Sequence, residues 1–94
     1  MMTAARSLPP PVPLIRVEQG TLVRIVALMG GSGFNKRMAE VGLNVGAELI
    51  VHQFTGGGLV LLRGETRIAL GGGMASKVLV VPVKEKSDQK ESQS

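Results

Sequence analysis

TLVRIVALMGGSGFNKRMAEVGLNVGAELIVHQF, residues 21–54, decides the fold. Its first eight residues, Thr21–Leu28, are aliphatic and β-branched, which is the composition of a strand. The nearly unbroken apolar run predicts burial on much of both faces. Gly30, Gly31 and Gly33 then break the chain in a loop. Asn35 is placed to cap a helix, and Lys36–Val41 reads as that short helix. Met38 and Val41, three apart, share its inner side, while Lys36 and Glu40, four apart, face solvent. Gly42 stands where a helix ends in a left-handed glycine. The chain turns again at Asn44–Gly46 and enters a second strand, Ala47–Phe54. Alternation puts Ala47, Leu49, Val51 and Gln53 on one side of it, and Glu48, Ile50, His52 and Phe54 on the other.

Beyond residue 54 the pattern of short strands continues. Gly56, Gly57 and Gly58 turn the chain into a third strand, Leu59–Arg63. Arg63-Gly64-Glu65-Thr66 is a tight hairpin leading to a fourth, Arg67–Leu70. Gly71–Ala75 is a loop with a single helical turn, and Val78–Val83 is the last strand, where Pro82 requires an edge or a strand end. These elements predict an all-β domain: a small SH3-like barrel of about five strands, with one short helix inserted after the first. Closure hides edges that so apolar a chain could not safely expose. Upstream, residues 1–13 read as a disordered leader in which Pro9, Pro10, Pro11 and Pro13 favour an extended polyproline segment. Residues 14–83 form the barrel, and 84–94, KEKSDQKESQS, lack any apolar residue and read as a disordered tail.

Composition narrows the function. With 94 residues there is room for one domain, and at 44% apolar but only 2% aromatic the core must be Val, Leu, Ile, Met and Ala. Two phenylalanines, Phe34 and Phe54, give poor support to a module that stacks bases. Cysteine is absent, which excludes disulfides, thiolate metal sites and thiol nucleophiles, and suits a reducing cytoplasm. The net charge is +4, of which residues 14–83 carry a surplus of three, too mild to require a polyanionic partner. No apolar run approaches the roughly 20 residues that span a bilayer, and the prolines of MMTAARSLPPPVP interrupt any signal-peptide core.

Residues with chemistry are scattered. GGSGFNKR and GGGMASK both fail the phosphate-loop pattern, because Lys36 follows Asn35 and Lys77 follows Ser76 where glycine is required. Neither satisfies the dinucleotide spacing. Glu18, Glu40, Glu48 and Glu65 form no acid–base pair and no hard-metal loop. Ser32 and Thr66 have no base near them in sequence, and His52, the only histidine, reads as a half-exposed strand residue. No catalytic residue, cofactor or resident metal is expected. What remains is a surface.

Four pieces of the chain, in order, resemble the FeoA family from Pro13 to Val83. They are PLIRVEQGTLVRIVAL, KRMAEVGLNVGAELIV, RGETRIAL and MASKVLVV. The second is similar to the family's R-L-x-x-L-G-h-x-x-G followed by a strand, where h is apolar. The last is similar to its A-x-x-I-x-V ending. Met38 replaces the usual Leu, Val45 stands where Pro often precedes the turn glycine, and Gly71–Gly73 are unusually glycine-rich. The resemblance implies a non-enzymatic cytoplasmic accessory protein of bacterial ferrous iron uptake. Its partner would be the FeoB-type membrane transporter, which carries a cytoplasmic G-domain. From the short helix and the loop after it we expect a docking face of Lys36, Arg37, Glu40 and Leu43. The competing reading makes Arg37 a pin between helix and barrel and Leu43 a core residue. Weak self-association is compatible with all of this; nucleic acid and membrane insertion are not expected. Two rivals remain: a nucleic-acid-binding small barrel, and a stand-alone relative of the SH3-like domain of iron-dependent repressors, which would need a DNA-binding helical part.

Overall fold

A computed structural model of the protein describes residues 10–83, so the leader up to residue 9 and the polar tail from residue 84 lie outside the described residues. Six antiparallel strands form one sheet in the order β1-β6-β2-β3-β4-β5. They are β1 (Val12–Pro13), β2 (Leu22–Leu28), β3 (Glu48–Phe54), β4 (Gly58–Arg63), β5 (Thr66–Gly71) and β6 (Val78–Pro82). Between β2 and β3 lies α1 (Gly31–Glu40), and between β5 and β6 the single turn α2 (Gly72–Ala75).

The all-β SH3-like architecture is the one expected, with one more strand. Val12 and Pro13, expected at the end of the leader, pair with Val80 and Leu79 as β1. A two-residue strand in a proline run leaves no periodic trace, so pattern reading passes over it. Pro82 resolves as a strand end. β6 is interior, but β1 reaches only as far as Val80, and Pro82 lies beyond it.

Alternation along each strand builds one core. Val23 and Ile25 of β2, Leu49 and Val51 of β3, Leu59 and Leu61 of β4, Leu70 of β5, and Val78 and Val80 of β6 are buried together. The expectation that β2 would be buried on both faces is corrected: Arg24 and Val26 are exposed on its other side. Arg24 is spent there on a cross-strand ion pair with Glu48 at 2.8 Å, with both groups close to half exposed. Such a pair is worth at most about 1 kcal/mol. Each fully buried Leu, Ile or Val contributes about 1.5–3 kcal/mol, so the inner face decides stability. No polar or charged residue is buried among the described residues.

β1 and β5 are the two edges of the sheet and do not pair with each other. The gap is filled by side chains instead. A 3-10 turn, Leu14–Arg16, inserts Leu14 into the core with no exposure, and α2 packs on β4, β5 and that turn. The Gly72 N–H donates to the Gly57 carbonyl at 2.8 Å, which ties α2 to the start of β4. At the same corner Gly58 meets β5 so closely that a Cβ there would lie 2.2 Å from the Leu70 carbonyl oxygen and 2.8 Å from the Gly71 Cα.

Both obstacles at Gly58 are backbone, so they cannot swing aside. Gly58→Ala is expected to cost about 1–3 kcal/mol, in the range of overpacked sites, and to lower the melting temperature by roughly 5–20 °C. A melting curve within about 2 °C of the parent would show that β4 and β5 do not approach this closely.

Candidate partner-docking face

α1 is longer than the sequence suggests. It starts at Gly31, five residues before Lys36, and Asn35 lies inside it as an exposed helical residue, not as its cap. Gly30 holds the cap position with no side-chain cap bond. The glycines read as a loop because their helix propensity is poor. Packing overrides propensity here. The Phe34 ring lies directly over Gly30, where a Cβ would come within 2.3 Å of it. One turn later Met38 is fully buried, so Phe34 and Met38 anchor the helix at i and i+4.

The helix ends as the sequence indicates, with Gly42 at φ +83°. The Gly42 N–H donates to the Ala39 carbonyl at 3.0 Å, and the Leu43 N–H reaches back to the Met38 carbonyl at 2.8 Å. That pair of bonds is the Schellman termination, which brings the residue after the glycine against the one three places inside the helix end. Leu43 is thereby packed into the core beside Met38, with no exposure. Its expected place on the docking face is corrected for this reason.

Lys36, Arg37 and Glu40 are exposed on α1. Arg37 makes no side-chain hydrogen bond among the described residues, so it does not pin the helix to the barrel. Two further cations that pattern reading did not select stand at the two ends of the same helix. Arg63, from the end of β4, lies over Gly42, with its Nη1 3.6 Å from where a Cβ would stand. A cation at a helix C-terminus is favoured by the unpaired carbonyls there. Lys77, from the turn after α2, holds its Nζ 5.9 Å from the centre of the Phe34 ring. Among the described residues the only ion pair is Arg24–Glu48, so Lys36, Arg37, Arg63 and Lys77 have no carboxylate within 4 Å.

Between α1 and α2 runs an open groove of about 350 Å³, lined by Gly33, Phe34, Arg37 and Met74. A second recess, of about 220 Å³ at the open end of the β4–β5 hairpin, is lined by backbone and small or apolar side chains and holds no charged group. Among the described residues no three His, Asp or Glu side chains cluster in a way that could hold a metal ion. His52 is half-buried on β3, and Ser32 and Thr66 are exposed on α1 and the β4–β5 hairpin.

Comparison with known proteins agrees in family and fold. Residues 12–82 match the FeoA domain family. A curated relative from Methanocaldococcus jannaschii, which bears the name Fe(2+) transport protein A, is 29% identical over 68 residues, or 72% of this chain and 83% of that protein. The crystal structure of an iron uptake regulatory protein, FeoA, superposes with a TM-score of 0.73 at 28% identity, over 80% of this chain and all of the other. A manganese-dependent transcriptional repressor also superposes with a TM-score of 0.73. Its identity is 18%, and the likeness spans 82% of this chain but 44% of the repressor, so it shows the shared fold alone.

The burial of Leu43 separates core from surface in a direct way. Leu43→Ala is expected to lower unfolding free energy by about 2–5 kcal/mol, whereas Lys36→Ala should stay within about 0.5 kcal/mol of the parent. Urea unfolding followed by circular dichroism reads both. Equal midpoints for Leu43→Ala and the parent would return Leu43 to the surface.

Proposed function

The chain belongs to the FeoA domain family, and on that premise we propose that it is a non-enzymatic accessory protein of ferrous iron transport that acts by binding the cytoplasmic G-domain of an FeoB-type transporter. It would work at the inner face of the cytoplasmic membrane without entering it; no helix among the described residues is long and apolar enough to cross.

One observation supports this reading beyond family membership. Among the described residues every buried side chain is Leu, Val, Ile, Met or Ala, while Lys36, Arg37, Arg63 and Lys77 stand on α1 and at its ends with no described carboxylate within 4 Å. Cations left unpaired at an exposed helix suit an acidic partner surface, for which they supply steering and register more than raw affinity. Glu40 on the same helix gives the face one point of opposite sign, which helps fix orientation.

The test is capture of an FeoB-type cytoplasmic G-domain by the full chain. Replacing Lys36 and Arg37 together by alanine should weaken binding about tenfold or more, with the melting temperature unchanged. The parent's binding should also weaken as salt rises, as expected for exposed charges beyond about 10 Å at 0.1 M ionic strength. Full-strength binding by the double variant, or no binding by the parent, contradicts the proposal.

A further inference from the structure

We infer that the groove between α1 and α2 is a docking cleft for an acidic segment of a partner protein that carries an apolar anchor side chain. The inference rests on the reading that this chain acts by binding a partner, and it names where and what kind of segment.

The floor of the groove is apolar and adaptable. Phe34 and Met74 are half-buried in it, and Met29 beside it is 63% exposed. The Met29 N–H donates to the Lys77 carbonyl at 2.7 Å, so the loop before α1 abuts the turn after α2. Two methionines and one phenylalanine make a surface that can remould around aliphatic side chains of different shape. The volume, about 350 Å³, falls at the small end of ligand pockets, which suits a few side chains and not a whole domain.

The rim is cationic. Arg37 lines the groove, and Lys77 stands over the Phe34 ring, 5.9 Å from its centre, with no described carboxylate within 4 Å. An apolar floor under two cations with no described carboxylate within 4 Å fits a ligand that is apolar at its centre and acidic at its margins.

Charge and composition choose the occupant. A second copy would set like charges opposite one another, which is destabilising. The chain's own tail, KEKSDQKESQS, has acids but no apolar residue to fill the floor. A nucleic acid would seek more cations and aromatic faces than the groove supplies.

The test uses the full chain with methyl-labelled methionine and a synthetic N-acetylated peptide of alternating glutamate and leucine. Saturable shifts of the Met29 and Met74 methyl signals, with the Met38 signal still, are expected. Arg37→Ala with Lys77→Ala should weaken the affinity at least tenfold. So should Gly30→Ala, which displaces the Phe34 ring without touching charge; if that variant fails to fold, Met74→Gln serves instead. Peptides with glutamine for glutamate, or glycine for leucine, should not shift the methyls. Shifts confined elsewhere, unchanged affinity in the double variant, or a stronger response to anionic vesicles or an oligonucleotide overturn the inference. A parallel capture of the transporter's cytoplasmic domain keeps the two readings apart. Capture that is indifferent to Lys77→Ala and Met74→Gln sinks the groove and leaves the accessory role. Peptide binding in the groove without any capture sinks the role and leaves the groove.

Discussion

The sheet has two edges that never meet, and the rest of the molecule depends on how that gap is filled. β1 and β5 exchange no hydrogen bonds, so the barrel is completed by packing: Leu14 from the 3-10 turn on one side and the single turn α2 on the other. Every buried residue on the inner face is Leu, Val, Ile, Met or Ala. Non-directional burial tolerates such a closure, because apolar contact needs no register. A buried polar network at the same seam would have had to satisfy each donor and acceptor. The consequence for function is direct. Among the described residues no polar side chain is buried, so the charged groups all stand on the outside.

The outside is organised by α1. Its two ends are fixed by different means, Phe34 over Gly30 at the start and the glycine termination with Leu43 at the end. Between these anchors, Lys36, Arg37 and Glu40 are carried on a helix that cannot roll without pulling Phe34, Met38 or Leu43 from their packing. A charged side chain on such a platform gains in precision of placement over one on a free loop. Arg63 and Lys77 join the face from β4 and from the turn after α2, elements more than twenty residues downstream of α1 in the chain.

That separation explains what the sequence reveals and what it hides. Strands β2 to β6 are legible because period-two alternation and glycine turns are local, and Gly42 is legible because helix termination has its own local signature. The start of α1 is hidden, since GGSGFN reads as a breaker until the Phe34 ring is seen lying on Gly30. β1 is hidden because two residues are too few to show a period. That Lys36 and Glu40 face solvent is legible from helix spacing, and both are exposed. Leu43 is misplaced because its burial follows from the reverse hydrogen bond to Met38, a three-dimensional fact. Phe34, Met74, Arg63 and Lys77 escape notice because only folding makes them neighbours of one another or of α1.

The central proposal is that an aliphatic barrel binds its partner through a face built around α1. Amide hydrogen exchange of the full chain, alone and bound to the cytoplasmic G-domain of an FeoB-type transporter, tests it most directly. Binding should slow exchange over residues 29–37 and 74–77 and leave β5 unchanged. Protection that appears along β5 instead, or spreads evenly over the sheet, would contradict the account.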